Sequence, residues 1–598
     1  MKTLRPGTRL GLLLATMAWA VAVRGATWQV EVVHRFGGAP LKLGECVHTD
    51  AAGDVLSVTR LDYLLSRFAW VAADGREVVL PEHVAYVSTG AGRTLFTLRD
   101  VPAGRFTGFR FRVGPTPDQN HRDPASIPAG DALNPTVNGL HWGWQGGFVS
   151  MALEGRWREA DGTLGGYSYH LAAGALVIEV EVPLRAEGGA DRDLRLTLDV
   201  AKIFAAPHPI RIADGAGSTH SRIGDPLAVK LGENVARAFR ADLVATAAPV
   251  DPAAAPGTRV VAAGATPYRL KVSRTFPRPS LPTDNPLTEE GVALGRRLFH
   301  DTSLSVNGTQ SCASCHQATA AFTDPGRQSS VGAEGTAGTR NTMPLANLAW
   351  QTSFFWDGRT SSLREQVLMP VTNPVEMHES LAHVVRKLER AAQGPAFASA
   401  FGTADITADR VARALEQYLL TLTSHGSKFD QVLAGTTVFD AREQRGFELF
   451  HTEHDPRRGL AGADCFHCHG GPLFSDFAFH NNGLDAEGDA KDLGRRLATR
   501  DRADTAKFKT PSLRDVALTA PYMHDGRFAT LEEAVAHYCS GVHRSGTLDP
   551  NLAKHPDGGI ALGAADQAAL VAFLRTLTDL GRSTGPASVA RVSTNVWF

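Results

Sequence analysis

Two short runs constrain this chain more than any other feature: Cys312-Ala313-Ser314-Cys315-His316 and Cys465-Phe466-His467-Cys468-His469. Both read Cys-x-x-Cys-His. Two thiols on one turn can form thioethers to the vinyl groups of a haem, and the following imidazole is then held under the iron as its proximal ligand. One match could equally be a redox dithiol. Two matches, which use four of the six cysteines, point to two covalently bound c-type haems with His316 and His469 as iron ligands. Cys46 and Cys539 remain. They lie far apart in sequence and are read as isolated thiols.

The first residues support this reading. Lys2, Arg5 and Arg9 precede the apolar run Leu10 to Val23, and Ala20-Val21-Ala22 offers a cleavage site, with Ala26 as a second. This is the pattern of a secretory signal peptide, too short for a membrane span. Export matches the chemistry, because bacterial c-type haem is attached outside the cytoplasm. No other segment approaches the ~20 apolar residues of a transmembrane helix, so a periplasmic protein is expected. With 598 residues, several domains are required. The 61 basic and 62 acidic side chains balance, which argues against a nucleic-acid groove or a polybasic membrane surface.

From about 27 to 245 the pattern is alternation. Trp28-Gln29-Val30-Glu31-Val32, Phe109-Arg110-Phe111-Arg112-Val113 and Ile178-Glu179-Val180-Glu181-Val182 swap apolar and polar residues, as half-buried strands do. An antiparallel β-sandwich with long loops and no long helix is expected. His34, Asn120, His121, His141, Trp142, Trp144, His170, His208 and His220 sit near strand ends. Imidazole-rich sites suit copper or zinc, but the spacing sets no metal template. Trp142 and Trp144, two apart, face one side if the segment is a strand.

The runs His34-Arg-Phe-Gly-Gly-Ala-Pro-Leu-Lys-Leu-Gly44, Val101-Pro-Ala-Gly104, Phe111-Arg-Val-Gly114, Trp142-Gly-Trp144 with Glu154-Gly155, and His170-Leu171 resemble the MbnP family. These are secreted β-sandwich proteins associated with copper. In that family a tryptophan is oxidised to kynurenine, and the modified residue supports copper binding. The resemblance implies that role for Trp142 or Trp144, and copper ligands among His34, His170 and His220. His141 stands directly before the tryptophan pair, where an apolar or aromatic residue is expected.

The stretch 246–284 is rich in Ala and Pro and reads as a semi-extended spacer. From 285 to 582 helical signals dominate, before a tail at 583–598. Thr288 can cap a helix carrying Val292, Gly295 and Leu298. Thr407 precedes the helical face Val411, Leu415, Tyr418 and Leu422. Thr530-Leu-Glu-Glu533 has capping-box form. Two cytochrome c-like lobes are expected, one haem in each.

Leu294-Gly-Arg-Arg-Leu-Phe299, Phe355-Trp-Asp-Gly-Arg359, Asn373-Pro-Val-Glu-Met377, Lys509-Thr-Pro-Ser-Leu-Arg514 and Ala520-Pro-Tyr-Met-His-Asp-Gly526 resemble the bacterial di-haem cytochrome c peroxidase superfamily, which includes MauG-like and MbnH enzymes that oxidise protein side chains. The resemblance implies a role for each matched residue. Gln366 and Glu376 form the distal pair at haem one, Glu376 as acid–base and Gln366 positioning peroxide. Trp356 lies between the haems. Asn341, Thr519 and Pro521 match an interdomain calcium site. Conventional peroxidases often carry a histidine in the loop after the first motif. Here Gln317 to Arg340 holds none, and the matching place is Gly332 or Ala333. The distal ligand of haem two, Met in those enzymes, falls on Tyr538, with Met523 or His524 as alternatives. A tyrosinate favours oxidised iron more than a thioether does.

Together these features predict an MbnP-like substrate fused to a MauG-like oxidase. Hydrogen peroxide reacts at haem one, and a tryptophan of the chain's own or a neighbouring N-terminal domain is oxidised to kynurenine, producing a copper site. The alternatives are a conventional peroxidase drawing electrons from a cytochrome c or a copper protein, and a copper-storage module matured once by its haem half.

Overall fold

The computed structural model describes residues 25–80, 82–142, 147–244, 260–555, 558–581 and 596–597. The expected signal peptide and Trp144 lie outside these residues.

The N-terminal half is β-rich. A larger sheet runs in the order Ile178–Gly188, Gly104–Val113, Arg60–Ala72, Val149–Arg158, Leu164–Ala172 and Ser218–Thr219, with shorter strands along its edges. A smaller sheet joins Phe239–Val244, Arg192–Asp199 and Ala26–Phe36, with Leu95–Val101 on the other side of the last. Side chains from both sheets share one core. Trp28 of the smaller sheet meets Trp70 of the larger with ring centroids 4.4 Å apart. Two expectations need correcting. The sheets are not wholly antiparallel: Ala26–Phe36 pairs in parallel with Arg192–Asp199, and Leu164–Ala172 with Ser218–Thr219. A thirteen-residue helix, Pro226–Ala238, is also present. Asp225 caps it and Leu231 and Val235 are buried, but Gly232 and Asn234 interrupt its apolar stripe and hide the period.

Burial separates two kinds of strand. Ile178–Gly188 alternates buried and exposed, as a sheet with one wet face must. Val149–Arg158 and Leu164–Ala172 are buried on both faces over most of their length. Their second face is covered by the C-terminal half. Arg544 donates to Leu164 O (2.8 Å), Arg458 pairs with Asp225 (2.9 Å), and Ser218 Oγ donates to Glu453.

The C-terminal half is mainly helical, with two apolar cores that repeat one device. Helix Glu289–Phe299 crosses Ala408–Leu420, and Ala441–Phe450 crosses Ala564–Arg575. Both crossings run through a Gly-x-x-Leu-Phe sequence, Gly295 to Phe299 and Gly446 to Phe450. A Cβ on Gly295 would lie 1.9 Å from Ala414 O, and one on Gly446 2.0 Å from Ala569 O, so only glycine permits either approach. The caps fall where the sequence places them: Thr288 accepts from Gly291 N–H, Thr407 from Arg410 N–H, and Thr530 from Glu533 N–H. The spacer is shorter than its composition suggests. Leu270, Val272 and Phe276 are buried in the first helical core, and Lys271–Val272 pairs with Val596–Trp597. No helix among the described residues is long and apolar enough to cross a membrane.

Candidate active site and its junction with the N-terminal sheet

The first motif forms the short helix Cys312–Cys315. His316 follows, and its Nδ1–H donates to Phe322 O at 2.7 Å. That bond fixes the ring and leaves Nε2 for a ligand. The second motif repeats the arrangement: Cys465–His467 is a single tight turn, and His469 Nδ1–H donates to Phe474 O at 3.2 Å. Burial lowers the pKa of both imidazoles, His469 to about 4, so each is neutral and able to coordinate. None of the six cysteines forms a disulfide.

A cavity lies beside each motif. The first, about 1280 Å³, is lined by Cys312, Cys315, His316, Gln366, Glu376 and Trp356. The second, about 240 Å³, is lined by Cys465, Cys468, His469, Met523, His524 and Tyr538. Paired thiols, an anchored imidazole and an apolar cavity fit haem at both places. Burial raises the pKa of Glu376 above the usual carboxylate range, against the pull of Asn373, whose side-chain N–H donates to it at 2.8 Å, and of Arg359. A carboxyl with a raised pKa that lines the cavity can give and take a proton there. Gly332 packs on this segment: Ala333 N–H donates to Glu376 O at 2.7 Å, and a Cβ on Gly332 would lie 2.1 Å from Val375 O. No side chain fits at 332 without moving the loop that carries Glu376.

Trp356 lines both cavities. Its indole N–H donates to Asn341 O at 2.8 Å. Asn341, Thr519 and Pro521 line the second cavity together, and the Asn341 amide donates to Arg327 O and Gln328 O. Tyr538 is half-buried, its phenol pushed up to about 12 by desolvation, and its oxygen accepts from Asn482 at 3.2 Å. The same amide approaches Met523 Sδ at 3.4 Å, so both candidate distal ligands share one neighbour. His524 stacks on Phe508, ring centroids 3.6 Å apart.

The N-terminal sheet meets the second motif directly. Trp142 packs edge-on against Phe466, centroids 5.9 Å apart, and lies 5.9 Å from His170 and 5.7 Å from His220. His170 and His220 come together as expected, but His34 does not join them. It is bound to the Tyr63 hydroxyl (2.8 Å) and Thr89 (3.3 Å) inside the β core, where burial lowers its pKa to about 4. The third imidazole is His467, from within the second motif. Ring centroids are 4.5 Å apart for His220–His467, 5.0 Å for His170–His220 and 5.3 Å for His170–His467. One ring nitrogen of each lies within 4.8 Å of one from each of the others. His141 stands apart, edge-on to Phe148.

Residues 289–438 match the family profile described as di-haem cytochrome c peroxidase, and residues 25–221 match the MbnP profile. The methylamine utilization protein MauG of Methylophilus methylotrophus is 34% identical over 327 residues, 54% of this chain and 92% of that protein. The chain belongs to the di-haem cytochrome c peroxidase/MauG family. An MbnP domain precedes the family region. The MauG protein of Methylorubrum extorquens is 39% identical over 301 residues, 50% of this chain and 80% of its own length. The crystal structure of a MauG-like protein associated with microbial copper homeostasis is 35% identical, covering 53% of this chain and 97% of that one at a TM-score of 0.47. Membership makes the chain a haem-dependent oxidoreductase that uses peroxide. It also accounts for the two Cys-x-x-Cys-His motifs as sites of two c-type haems.

Proposed function

We propose that this enzyme uses hydrogen peroxide to oxidise Trp142 of its own N-terminal domain to kynurenine, and that the modified side chain joins His170 and His220 in binding copper. One observation carries the reading: Trp142 touches Phe466, a residue inside the second haem-attachment motif of the same chain. Haem bound at the two motifs supplies peroxide cleavage and storage of oxidising equivalents. Glu376 moves the peroxide proton, Gln366 holds peroxide, and Trp356, which borders both cavities, carries electrons between them. Tyr538 is the distal ligand of haem two. Asn341, Thr519 and Pro521 bind calcium between the lobes, and the protein works in the periplasm. The reaction balances with two molecules of peroxide: both add oxygen across the indole ring, giving N-formylkynurenine and two waters, and hydrolysis then releases formate.

The test is peptide mass spectrometry of the haem-loaded protein after peroxide. Kynurenine is expected at Trp142, and none in Glu376→Gln. Unmodified Trp142 with fast peroxide consumption from a reduced donor would reject the reading and favour a conventional peroxidase served by a cytochrome c or copper protein. The nearness of Met523 to Tyr538 through Asn482 gives that alternative its footing. Electron paramagnetic resonance separates them, because His/Met ligation at haem two would exclude Tyr538.

A further inference from the structure

The three imidazoles at the junction share a feature that core histidines seldom have. Each has a carboxylate near one ring nitrogen and at least one ring nitrogen without a hydrogen-bond partner among the described residues. His170 Nε2 donates to Glu154 Oε1 at 2.7 Å. His220 Nδ1 lies 2.9 Å from Glu453 Oε2, and His467 Nε2 lies 3.5 Å from Asp464 Oδ1. The remaining nitrogens, His170 Nδ1, His220 Nε2 and His467 Nδ1, have no hydrogen-bond partner among the described residues. His170 is 3% exposed and His467 8%. A buried polar atom left unsatisfied is destabilising, so several gathered within one cluster call for an occupant. A carboxylate behind each imidazole is the outer shell of a metal site, where it fixes the ring and raises its basicity.

We infer that His170, His220 and His467 bind a single copper(I) or zinc(II) ion across the junction of the two halves, with the third imidazole supplied from inside the second haem-attachment motif. Neutral imidazoles suit both ions, and Glu154, Glu453 and Asp464 compensate the added charge. The ligands come from three places: His170 from strand Leu164–Ala172, His220 from just beyond Ser218–Thr219, and His467 from between Cys465 and Cys468. Metal bound here therefore clamps the N-terminal sheet to the lobe of haem two and lies against that haem's attachment turn. The inference rests on the copper role proposed for His170 and His220 and adds His467 to it; it is independent of tryptophan oxidation, since it concerns protein whose Trp142 is unmodified.

The experiment uses full-length, haem-loaded protein never exposed to peroxide, with Trp142 confirmed intact by mass. Copper(I) and zinc(II) are titrated separately against a competing chelator, and K-edge X-ray absorption counts the imidazoles. One ion with three imidazoles is expected for at least one metal, and which metal binds identifies the occupant. His467→Gln should weaken binding by at least the ~10–100-fold typical of losing an outer-shell partner and leave two imidazoles. Binding should also shift the electron paramagnetic resonance signal of haem two in the wild type and not in His467→Gln. If His467→Gln fails to load haem, Glu453→Gln, outside the motif, serves instead, with a loss of about 10–100-fold. Unchanged affinity in both variants, or a metal with only two imidazoles in the wild type, would overturn the inference. Failure of peroxide to modify Trp142 would leave it standing.

Discussion

Removing the charge of Lys554 tests how the junction is held. Its side chain is 7% exposed, and its ammonium lies 3.0 Å from Asp464 and 3.7 Å from Glu453, whose side chains are 3% and 5% exposed. Burial alone would raise both carboxyls. Instead Lys554 holds Asp464 well below its ordinary range, and His220 with Lys554 does the same for Glu453. Lys554→Met keeps the length of the side chain and deletes the charge. Asp464 then keeps His555 at 2.9 Å, and Glu453 keeps the half-buried Arg458 at 3.9 Å. Breaking a buried pair costs about 3–5 kcal/mol, because the surviving charge stays buried and uncompensated. The remaining partners place this variant at the lower end, about 3 kcal/mol. Both carboxyls have depressed folded-state values, so their contribution is present above the unfolded values near ~4 and is lost as pH falls through the folded ones. The gap between wild type and variant should therefore be full near pH 7 and close in acid. Urea denaturation of the haem-loaded protein, followed by far-ultraviolet circular dichroism across that range, measures it. Equal stability near pH 7, or a gap independent of pH, would refute the assignment of Lys554 as the counter-charge.

Three further outcomes are expected. Glu376→Gln should slow the reaction with peroxide by about 10²–10⁴-fold in stopped-flow absorbance while both haems stay bound; an unchanged rate removes the acid–base role. Because burial raises Glu376, the wild type should lose stability as pH rises through that raised value, and Glu376→Gln should lack this loss, which denaturation on the alkaline side of the ordinary carboxylate range detects. Tyr538→Phe should change the haem-two resonance and lower the yield of kynurenine, whereas an identical spectrum would place another ligand on that iron.

Much of this architecture was legible because the chemistry sets the spacing. The two Cys-x-x-Cys-His motifs, the capping threonines and the alternation of Ile178–Gly188 each follow from a local rule, and the structure places them as that rule requires. The errors share one cause: contacts that no local period encodes. Ala26–Phe36 pairs in parallel with a strand more than 150 residues away, which alternation alone cannot distinguish from antiparallel pairing. The family resemblance groups His34 with His170 and His220, yet His34 points into the β core and bonds Tyr63 and Thr89.

His467 shows the limit most clearly. It occupies an x position of Cys-x-x-Cys-His, where the haem chemistry makes no demand, so the motif gives no reason to single it out. Its neighbour Asp464, and Glu453 which pairs with His220, lie upstream in the same lobe, while His170 and His220 belong to the other half of the chain. Only docking brings the five together. One signal was present: Val149–Arg158 and Leu164–Ala172 do not alternate cleanly, and a strand without a wet face must be covered by something. Glu154 and His170 sit diagonally on those two strands, Glu154 opposite Ser168 and His170 opposite Ala152, and their contact with the haem-two lobe is where the chain's two chemistries meet.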